Sequence, residues 1–400
     1  MFYYISFLRP PPLQASTTSS EPIRITPQIC NDLRTEYLDD SIDIYYSWSL
    51  HTPHPATPVI TKPTKLTSWR TSTAYKEIPV PRPPHYNKTC KDAESDALSW
   101  RLILTCGTTP NDQLVMLGET EATGNTPLAV MSMPVRFQSG RLGHGSGNKR
   151  AAIQNGTKQE RIARSYALRA PIQDRSIVFD ITEQTSFDLD KKIWDSGIGL
   201  SSWLVQLFSE KGTETDGALT HLRELLFGTN ARHVLELGAG TGIVAITLAI
   251  LRSTLVLLDQ PGSIVTTDLP SAIPVLQDNI TANRLLTHQC TPQAAVLDWE
   301  CEELAPPVQA QLEAGLDVII MADVTYNTAS FTALTGTLSR LVQICKQRRE
   351  GRPPRVLMGY KERHPDERSL WDMAKDIGLH FQQVALVNGA GGHPVEIWLG

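Results

Sequence analysis

The chain has 400 residues, of which 41% are hydrophobic and 20% charged, and its net charge is −5. These values are typical of a globular protein of one or two domains and argue against a nucleic-acid binder. The six cysteines are scattered, without a Cys-x-x-Cys pair or histidines at metal spacing, so we expect neither disulfides nor a metal site. The longest apolar run is too short for a membrane span, and the apolar start of the chain lacks a signal-peptide cleavage site. We therefore expect a cytoplasmic protein and leave a nuclear fraction open.

Residues 1–170 are rich in proline, serine and threonine, and neither helical nor strand periodicity persists in them. Residues 29–38 could form a short helix, and residues 97–105 a strand or a helix. Residues 136–164 are basic and rich in glycine, which is consistent with a nucleic-acid patch or, as we favour, with a solvated linker. The pattern predicts a largely irregular extension of low order over residues 1–170, ending in this linker.

From residue 171 the chain changes character, and strands and helices alternate. Residues 176–181 and 185–189 flank a polar turn and predict a β-hairpin, and a helix with an apolar face follows Ile193. Seven strands are expected at 233–237, 263–267, 293–298, 316–322, 355–360, 380–387 and 395–399, and helices at 217–227, 242–252, 270–285, 328–347 and 366–377. Such alternation predicts an α/β domain over residues 171–400, with a Rossmann-like, mostly parallel seven-stranded sheet covered by helices on both faces.

A glycine-rich turn follows the first of these strands. Gly238, Gly240 and Gly242 stand at alternating positions between the strand and an apolar helix, an arrangement that binds nucleotide-like ligands. A dinucleotide-binding turn has the spacing G-x-G-x-x-G, and here the third glycine comes one residue early. Glu236, two residues before the turn, suits a ligand with a cationic group better than a pyrophosphate. The turn is therefore similar to the first motif of S-adenosylmethionine-dependent methyltransferases.

The end of the second strand offers a carboxylate for a ribose. Asp268 can accept hydrogen bonds from two vicinal hydroxyl groups, although Asp259 lies closer to the usual distance of about 20 residues from the glycines. We prefer Asp268, because Pro270 and an amphipathic helix follow it directly. Its alternative role is that of a helix N-cap without a ligand.

Two further strand ends carry candidate residues. Asp298 and Trp299 suit an adenine, because a carboxylate can accept a hydrogen bond from its amino group and an indole ring can cover its face. Asp323 and Tyr326 end the fourth strand and could hold an amine through its N–H groups. Residues 361–363 follow the fifth strand, and we expect a solvated charged loop there rather than a catalytic role, although the loop could help to form a substrate rim.

These motifs, taken together, resemble those of the seven-β-strand protein-lysine methyltransferases. They are Trp194-Asp-Ser-Gly-Ile-Gly, Leu235-Glu-Leu-Gly-Ala-Gly-Thr-Gly-Ile, Thr267-Asp-Leu-Pro, Asp298-Trp299 and Ala322-Asp-Val-Thr-Tyr326, and the resemblance covers about residues 171–400. It implies an S-adenosyl-L-methionine site lined by Trp194, Gly238, Ala239, Gly240, Asp268, Trp299 and Ala322, with Glu236 inside the glycine motif. It also implies that Asp323 and Tyr326 belong to the lysine site. Family members modify proteins such as translation elongation factor 1A and AAA-type ATPase chaperones, and they are typically much shorter at the N-terminus.

The sequence thus predicts a protein-lysine N-methyltransferase that uses S-adenosyl-L-methionine, acts as a monomer on a protein substrate and binds no metal, membrane or nucleic acid. One alternative is a small-molecule N- or O-methyltransferase, because the fold alone does not determine the substrate. Another is a catalytically inactive domain of the same fold that only binds. An open, acidic mouth of the site would favour a protein lysine, and a closed apolar cavity would favour a metabolite.

Overall fold

The computed structural model describes most of the chain. The described residues are 1–16, 21–51, 59–84, 98–119, 123–138, 159–170, 175–185, 189–209, 217–255, 262–348 and 351–400. They contain twelve strands before residue 185, followed by a region in which seven strands and seven helices alternate.

The first part of the chain is built from β-strands. They are β1 (Tyr4–Arg9), β2 (Gln14–Ser16), β3 (Ile23–Cys30), β4 (Ile42–His51), β5 (Thr64–Trp69), β6 (Ile78–Val80), β7 (Leu98–Thr105), β8 (Leu114–Leu117), β9 (Val130–Ser132), β10 (Val135–Gln138), β11 (Arg161–Ala170) and β12 (Arg175–Gln184). Within the described residues, β1, β3 and β6 form a three-stranded sheet, and the other nine strands form a second sheet.

The prediction of low order for residues 1–170 is wrong for the part that the structure describes. The two sheets enclose a hydrophobic core of their own, in which Ile5, Trp48, Trp69 and Trp100 are at most 2% exposed. The strands escaped prediction because they mix polar and proline residues with apolar ones and because several pair over long sequence distances. Gln14 in β2, for example, lies opposite Arg136 in β10. A sequence window sees only one partner of such a pair.

The structure corrects one local prediction in this part of the chain and decides another. The helix expected at residues 29–38 is absent from the described structure, since β3 runs to Cys30 and a turn closed by the Asn31 side chain follows. Residues 98–105 form strand β7, one of the two alternatives for that segment, and residue 97 lies outside the described residues.

The hairpin next to the α/β region lies one strand earlier than expected. β12 is unbroken from Arg175 to Gln184, so the predicted turn within it is wrong, and its hairpin partner is β11. Most of the basic segment, residues 139–158, lies outside the described residues. Arg164, which was assigned to the linker, is a buried residue of β11 that bonds Glu183 and the carbonyl oxygen of Ile5.

The region after residue 185 has the predicted α/β architecture. Its strands are β13 (His233–Leu237), β14 (Ser263–Asp268), β15 (Gln293–Val296), β16 (Val318–Ala322), β17 (Arg355–Tyr360), β18 (Gln382–Val387) and β19 (Val395–Leu399). Its helices are α1 (Asp195–Ser209), α2 (Gly217–Phe227), α3 (Ile243–Ser253), α4 (Ile273–Ala282), α5 (Pro306–Ala314), α6 (Phe331–Arg348) and α7 (Ser369–Asp376). All seven predicted strands are present, with ends shifted by at most three residues. Helix α5 was not predicted, because only Val308, Gln311 and Leu312 of its nine residues are buried.

The seven strands of this region form one sheet in the order β15-β14-β13-β16-β17-β19-β18. Its strands are parallel except β19, which is antiparallel to both of its neighbours. The order runs outward from β13 in both directions, which creates a switch point between β13 and β16. At such a point the two following connections leave on opposite faces of the sheet, and a crevice opens at the carboxyl ends of the strands.

Helices cover both faces of the sheet and bury its alternating side chains. Val234 packs into the cluster with α1, α2 and α3, whereas Leu235 and Leu237 pack into the cluster with α5, α6 and α7. The predicted Rossmann-like fold is therefore confirmed. Among the helices of the described residues, none combines the length and apolarity needed to cross a bilayer.

Candidate functional site

The glycine turn at the end of β13 brings the backbone close to a crevice. Gly238 and Gly240 both have positive φ angles, +66° and +55°. A Cβ atom on Gly238 would come within 2.8 Å of Val324 Cγ1, so a side chain does not fit there without displacement. The turn is tied to the next strand, because Ala239 N–H donates to the carbonyl oxygen of Thr267 at 3.0 Å. The chain thus needs glycine here for both its conformation and its closeness to neighbours.

A cavity of about 340 Å³ lies beside this turn, at the switch point of the sheet. All ten of the predicted site residues line it, namely Trp194, Glu236, Gly238, Ala239, Gly240, Asp268, Trp299, Ala322, Asp323 and Tyr326. They come together because the carboxyl ends of β13, β14, β15 and β16 meet at one edge of the sheet. Asp190, Lys192, Thr241 and Asn327 also line the cavity and were not predicted. Asp190 and Lys192 lie before α1, where the sequence carries no motif that points to a site.

Glu236 is a buried acid on the floor of the cavity. It is 3% exposed, and the Thr266 hydroxyl donates to its Oε2 at 2.5 Å. Burial raises the pKa of Glu236 to about 8, which the hydrogen bond from Thr266 offsets only in part. The side chain is therefore largely protonated at pH 7, and a cationic group placed beside it would favour the ionised form.

Asp268 lies across the glycine turn from Glu236. Its Oδ2 accepts from Gly240 N–H at 2.7 Å and its Oδ1 from Leu269 N–H at 2.7 Å. Burial raises the pKa of Asp268 to about 6, and the two backbone donors oppose that rise. Each carboxylate oxygen retains a lone pair, so the group can still accept hydrogen bonds from a ligand. Asp259, the alternative to Asp268, lies outside the described residues.

Two tryptophans border the cavity on different sides. Trp299 follows β15, and its ring lies 3.4 Å from the position that a Cβ atom of Gly238 would occupy. Trp194 precedes α1, and its Nε1–H donates to the carbonyl oxygen of Leu189 at 2.9 Å, which orients the ring. Flat apolar walls next to Asp298, also in the lining, suit a heterocyclic base.

Asp323 and Tyr326 form the mouth of the cavity. Tyr326 is 52% exposed, and burial of its ring together with Asp268 and Asp190 raises its pKa. Asp323 is 6% exposed and has a φ angle of +58°, in the left-handed region that few residues other than glycine occupy. Its carboxylate accepts from Ser196 N–H at 3.1 Å and from both terminal nitrogens of Arg363.

Lys361 is buried and Glu362 and Arg363 are half-buried, which contradicts the prediction of a solvated charged loop at residues 361–363. Lys361 is 5% exposed, and its ammonium group lies 3.2 Å from Asp32 Oδ1 and 2.8 Å from Asp195 Oδ2. Arg363 donates to Asp32 Oδ2 at 2.8 Å as well as to Asp323. Asp32 and Asp195 were missed by the sequence reasoning. Asp195 lies inside a quoted motif without an assigned role, and nothing in the sequence around Asp32 points to this site.

The lining residues fit S-adenosyl-L-methionine. The glycine turn leaves room for a close approach of the ligand to the backbone, and Glu236 offers a partner for an ammonium group. Asp268 offers acceptors for a ribose diol, and Asp298 with Trp299 offers an acceptor and a ring face for adenine. The volume of about 340 Å³ lies within the range of roughly 300–1,000 Å³ that is usual for small-molecule sites.

Comparison with known proteins agrees with this fit. A model of the lysine methyltransferase family matches residues 173–376. The chain is 28% identical over 150 residues to EEF1A lysine methyltransferase 3 of Mus musculus, a match covering 38% of this chain and 50% of the relative. It is 32% identical over 110 residues to the protein of the same name from Xenopus tropicalis, covering 28% of this chain and 42% of that one. It is 27% identical over 187 residues to protein-lysine N-methyltransferase EFM6 of Saccharomyces cerevisiae, covering 45% and 71%. The chain spans about half the length of the mouse and Xenopus relatives.

Proposed function

The chain belongs to the lysine methyltransferase family, and we propose that it is a protein-lysine N-methyltransferase that uses S-adenosyl-L-methionine. One observation carries the proposal. The cavity at the switch point combines an acid beside a glycine turn, a second acid at the end of β14 and an acid with a phenol at its mouth. The first two suit the ends of the cofactor, and the third suits an amine that receives a methyl group.

Each end of the cavity has a separate task in this proposal. Glu236 pairs with the amino group of the cofactor, Asp268 accepts from its ribose and Trp299 covers its adenine, while the remaining cofactor-binding residues are Trp194, Gly238, Ala239, Gly240 and Ala322. Asp323 and Tyr326 orient the acceptor nitrogen through its N–H groups. Holding the nucleophile in line is the main contribution that a protein can make to a displacement of this kind.

When bound, S-adenosyl-L-methionine would supply an electrophilic methyl group on a sulfonium, and the sulfur would take the electron pair of the C–S bond when that methyl group is transferred to the lysine nitrogen. The chain must present that nitrogen with a free lone pair, because an ammonium ion cannot attack. The methylated nitrogen would then lose a proton to water. Water can reach it because Tyr326, at the mouth of the cavity, is half-exposed.

The open mouth favours a protein substrate over a metabolite. Tyr326 at the mouth is 52% exposed, so a side chain that projects from another protein can enter past it. The mouse and Xenopus relatives are named for elongation factor 1A, which makes that protein the first substrate to test. An AAA-type chaperone is the second. With elongation factor 1A as substrate, the enzyme is expected in the cytoplasm, where translation takes place.

The proposal is tested by incubating the purified full chain with tritiated S-adenosyl-L-methionine and a cell extract, and in parallel with purified elongation factor 1A. A labelled protein band whose label maps to lysine by mass spectrometry is the expected result. Tyr326→Phe should lower the rate by removing one acceptor, and Glu303→Gln, an exposed change outside the cavity lining, should not. Label found only in small molecules would support the metabolite alternative instead. Cofactor binding without any transfer would support the inactive domain.

A further inference from the structure

The carboxylate of Asp323 has an internal cationic partner. Arg363 donates to Asp323 Oδ1 through one terminal nitrogen and to Oδ2, at 3.0 Å, through the other. Ser196 N–H donates to the same Oδ2 at 3.1 Å. A carboxylate offers about four acceptor positions, so about one remains for an acceptor nitrogen. Asp323 therefore enters the proposed reaction as a neutralised ion pair.

Arg363 is held firmly in this position. Its second terminal nitrogen also donates to Asp32 Oδ2 at 2.8 Å, its guanidinium lies 5.3 Å from the centre of the Trp194 ring, and its side chain is 9% exposed. Asp32 follows β3, in the N-terminal sheets, and lies 331 residues away from Arg363 in sequence. A guanidinium fork shared between two carboxylates has a defined orientation that a flexible ammonium group would lack.

The charges around this pair come from several elements. Asp323 follows β16, Arg363 and Lys361 follow β17, Asp195 begins α1, and Asp32 follows β3. Glu367 accepts from Arg363 N–H at 3.3 Å, and the amino group of Met1 lies 4.0 Å from Asp195. The titratable side chains that line the cavity besides Asp323 are Tyr326, Asp190, Lys192, Glu236, Asp268, Asp298 and Glu300. Arg363 contacts Asp323 directly, through both of its terminal nitrogens.

A bare carboxylate would be unsuitable beside the acceptor lysine. A lysine amine has a pKa of about 10.4 in water, so nearly all of it is already protonated at pH 7. An opposite charge within about 4–6 Å favours the charged form further, by roughly 1–3 pKa units. Each such unit would reduce the reactive neutral fraction about tenfold. A carboxylate already paired with a guanidinium can accept an N–H without adding this penalty.

We propose that Arg363, held by Asp32 of the N-terminal sheets, is a positioning residue that neutralises Asp323, so that the acceptor site takes lysine as the neutral amine. The inference rests on the proposed function, since it concerns the acceptor side of the same cavity. It also makes the N-terminal sheets part of the catalytic unit, because one of their carboxylates fixes the orientation of Arg363.

The inference is tested by the binding of n-butylamine, a model of the lysine side chain, to the full chain saturated with S-adenosylhomocysteine. Binding is followed by saturation-transfer NMR from pH 7 to pH 10. The wild type should bind more tightly as pH rises, by about tenfold per unit, in step with the neutral fraction of the probe. Arg363→Met should bind the ammonium form at least about tenfold more tightly at pH 7 and lose most of this pH dependence.

Three further variants separate charge from structure. Arg363→Lys retains the cation and should keep the wild-type pH profile. Lys361→Met removes an equally buried cation that bonds Asp32 and Asp195 but not Asp323, and it should lower thermal stability without changing the profile. The gain in Arg363→Met should disappear in R363M/D323N. Arg363→Met leaves two carboxylates, Asp32 and Asp323, without their cation and could be too unstable to purify. In that case R363M/D32N, in which only the Asp323 carboxylate is left without Arg363, should show the same gain in affinity for the ammonium form.

Equal affinities and equal pH profiles for the wild type and Arg363→Met would overturn the inference. So would a profile in Lys361→Met that changes as much as the one in Arg363→Met, because the effect would then come from buried charge in general. The measurement needs no methyl transfer. A wild type that shows the expected amine profile but labels no protein lysine would therefore count against the proposed function alone.

Discussion

Replacing Glu236 with glutamine should stabilise the ligand-free protein, and the gain should grow as pH rises. Burial raises the pKa of Glu236 to about 8 from its ordinary value of 4.5. Between these values the folded chain keeps the proton and the unfolded chain has lost it, so the free energy of unfolding falls with rising pH. This contribution of Glu236 to stability is complete below about pH 4.5 and is lost once pH passes about 8. Glutamine has no proton to lose and avoids the change.

The structure sets the size of this effect. Glu236 is 3% exposed, so solvent screens its charge little. One pH unit within the window corresponds to about 1.4 kcal/mol, and the interval from pH 6 to pH 8 therefore corresponds to at most about 3 kcal/mol. Glutamine is nearly isosteric and can still accept the hydrogen bond from Thr266, so packing should change little. Asp268 titrates in both proteins, and its contribution cancels when the two are compared.

The assay is urea unfolding of the wild type and Glu236→Gln at pH 6, 7, 8 and 9, followed by the fluorescence of the eight tryptophans. The difference in unfolding free energy between the two proteins should increase up to about pH 8 and then level off. Glu303→Gln is the matched control, because Glu303 is exposed and its neutralisation should give no pH-dependent gain. A constant difference between Glu236→Gln and the wild type from pH 6 to pH 9 would refute the reasoning, since it would mean that Glu236 is ionised throughout.

Three other predictions concern the same cavity. The binding of S-adenosylhomocysteine at pH 7 can be measured by calorimetry in buffers of different ionisation enthalpy, which reports the number of protons released. Close to one proton per site should be released by the wild type and none by Glu236→Gln, because the ammonium group of the ligand displaces the proton of Glu236. Equal release by the two proteins would contradict the pairing of Glu236 with that ammonium group. Asp268→Asn should weaken the binding of the same ligand by roughly 10- to 100-fold, the value of one or two hydrogen bonds to a charged acceptor, and unchanged affinity would place the ribose elsewhere. Gly238→Ala should destabilise the protein by about 1–3 kcal/mol, because its Cβ would lie 2.8 Å from Val324 Cγ1 at a φ of +66°. A Cβ atom at Gly336 on α6 would have nothing within 4 Å, so Gly336→Ala should stabilise the protein by up to about 1 kcal/mol. A higher melting temperature for Gly238→Ala than for Gly336→Ala would contradict this reasoning.

The α/β region was predictable because its signals are local. Most strands of its sheet contain a short apolar run, and most buried helix faces repeat within one window of sequence. Parallel strands joined by right-handed crossovers then leave few possible topologies. Residues at the ends of different strands, such as Asp268 after β14 and Tyr326 after β16, consequently line one cavity although 58 positions separate them. Helix α5 was missed because its apolar face is weak, and Lys192 because it lies outside the motif that begins at Trp194.

The N-terminal sheets were not predictable in the same way. Their strands contain polar and proline residues, and several of them pair with partners far away in sequence. Pro27 in β3, for example, lies opposite Phe7 in β1, and Arg136 in β10 lies opposite Gln14 in β2. Low hydrophobic periodicity in such segments is compatible both with disorder and with a β-sheet. Only the strand pairing seen in the tertiary structure distinguishes the two.

By itself the sequence determined the fold of the second region, the position of a cofactor-sized cavity at its switch point and the ten residues expected to line it. The tertiary structure decided in which charge state those residues work. Burial in β13 raises the pKa of Glu236 to about 8, and Asp323 is paired with Arg363, which also bonds Asp32, 331 residues away in sequence. Motifs specify which groups are present, because they are read from neighbouring positions along the chain. Protonation and ion pairing depend on solvent exclusion and on distances of a few ångströms between groups that only folding brings together.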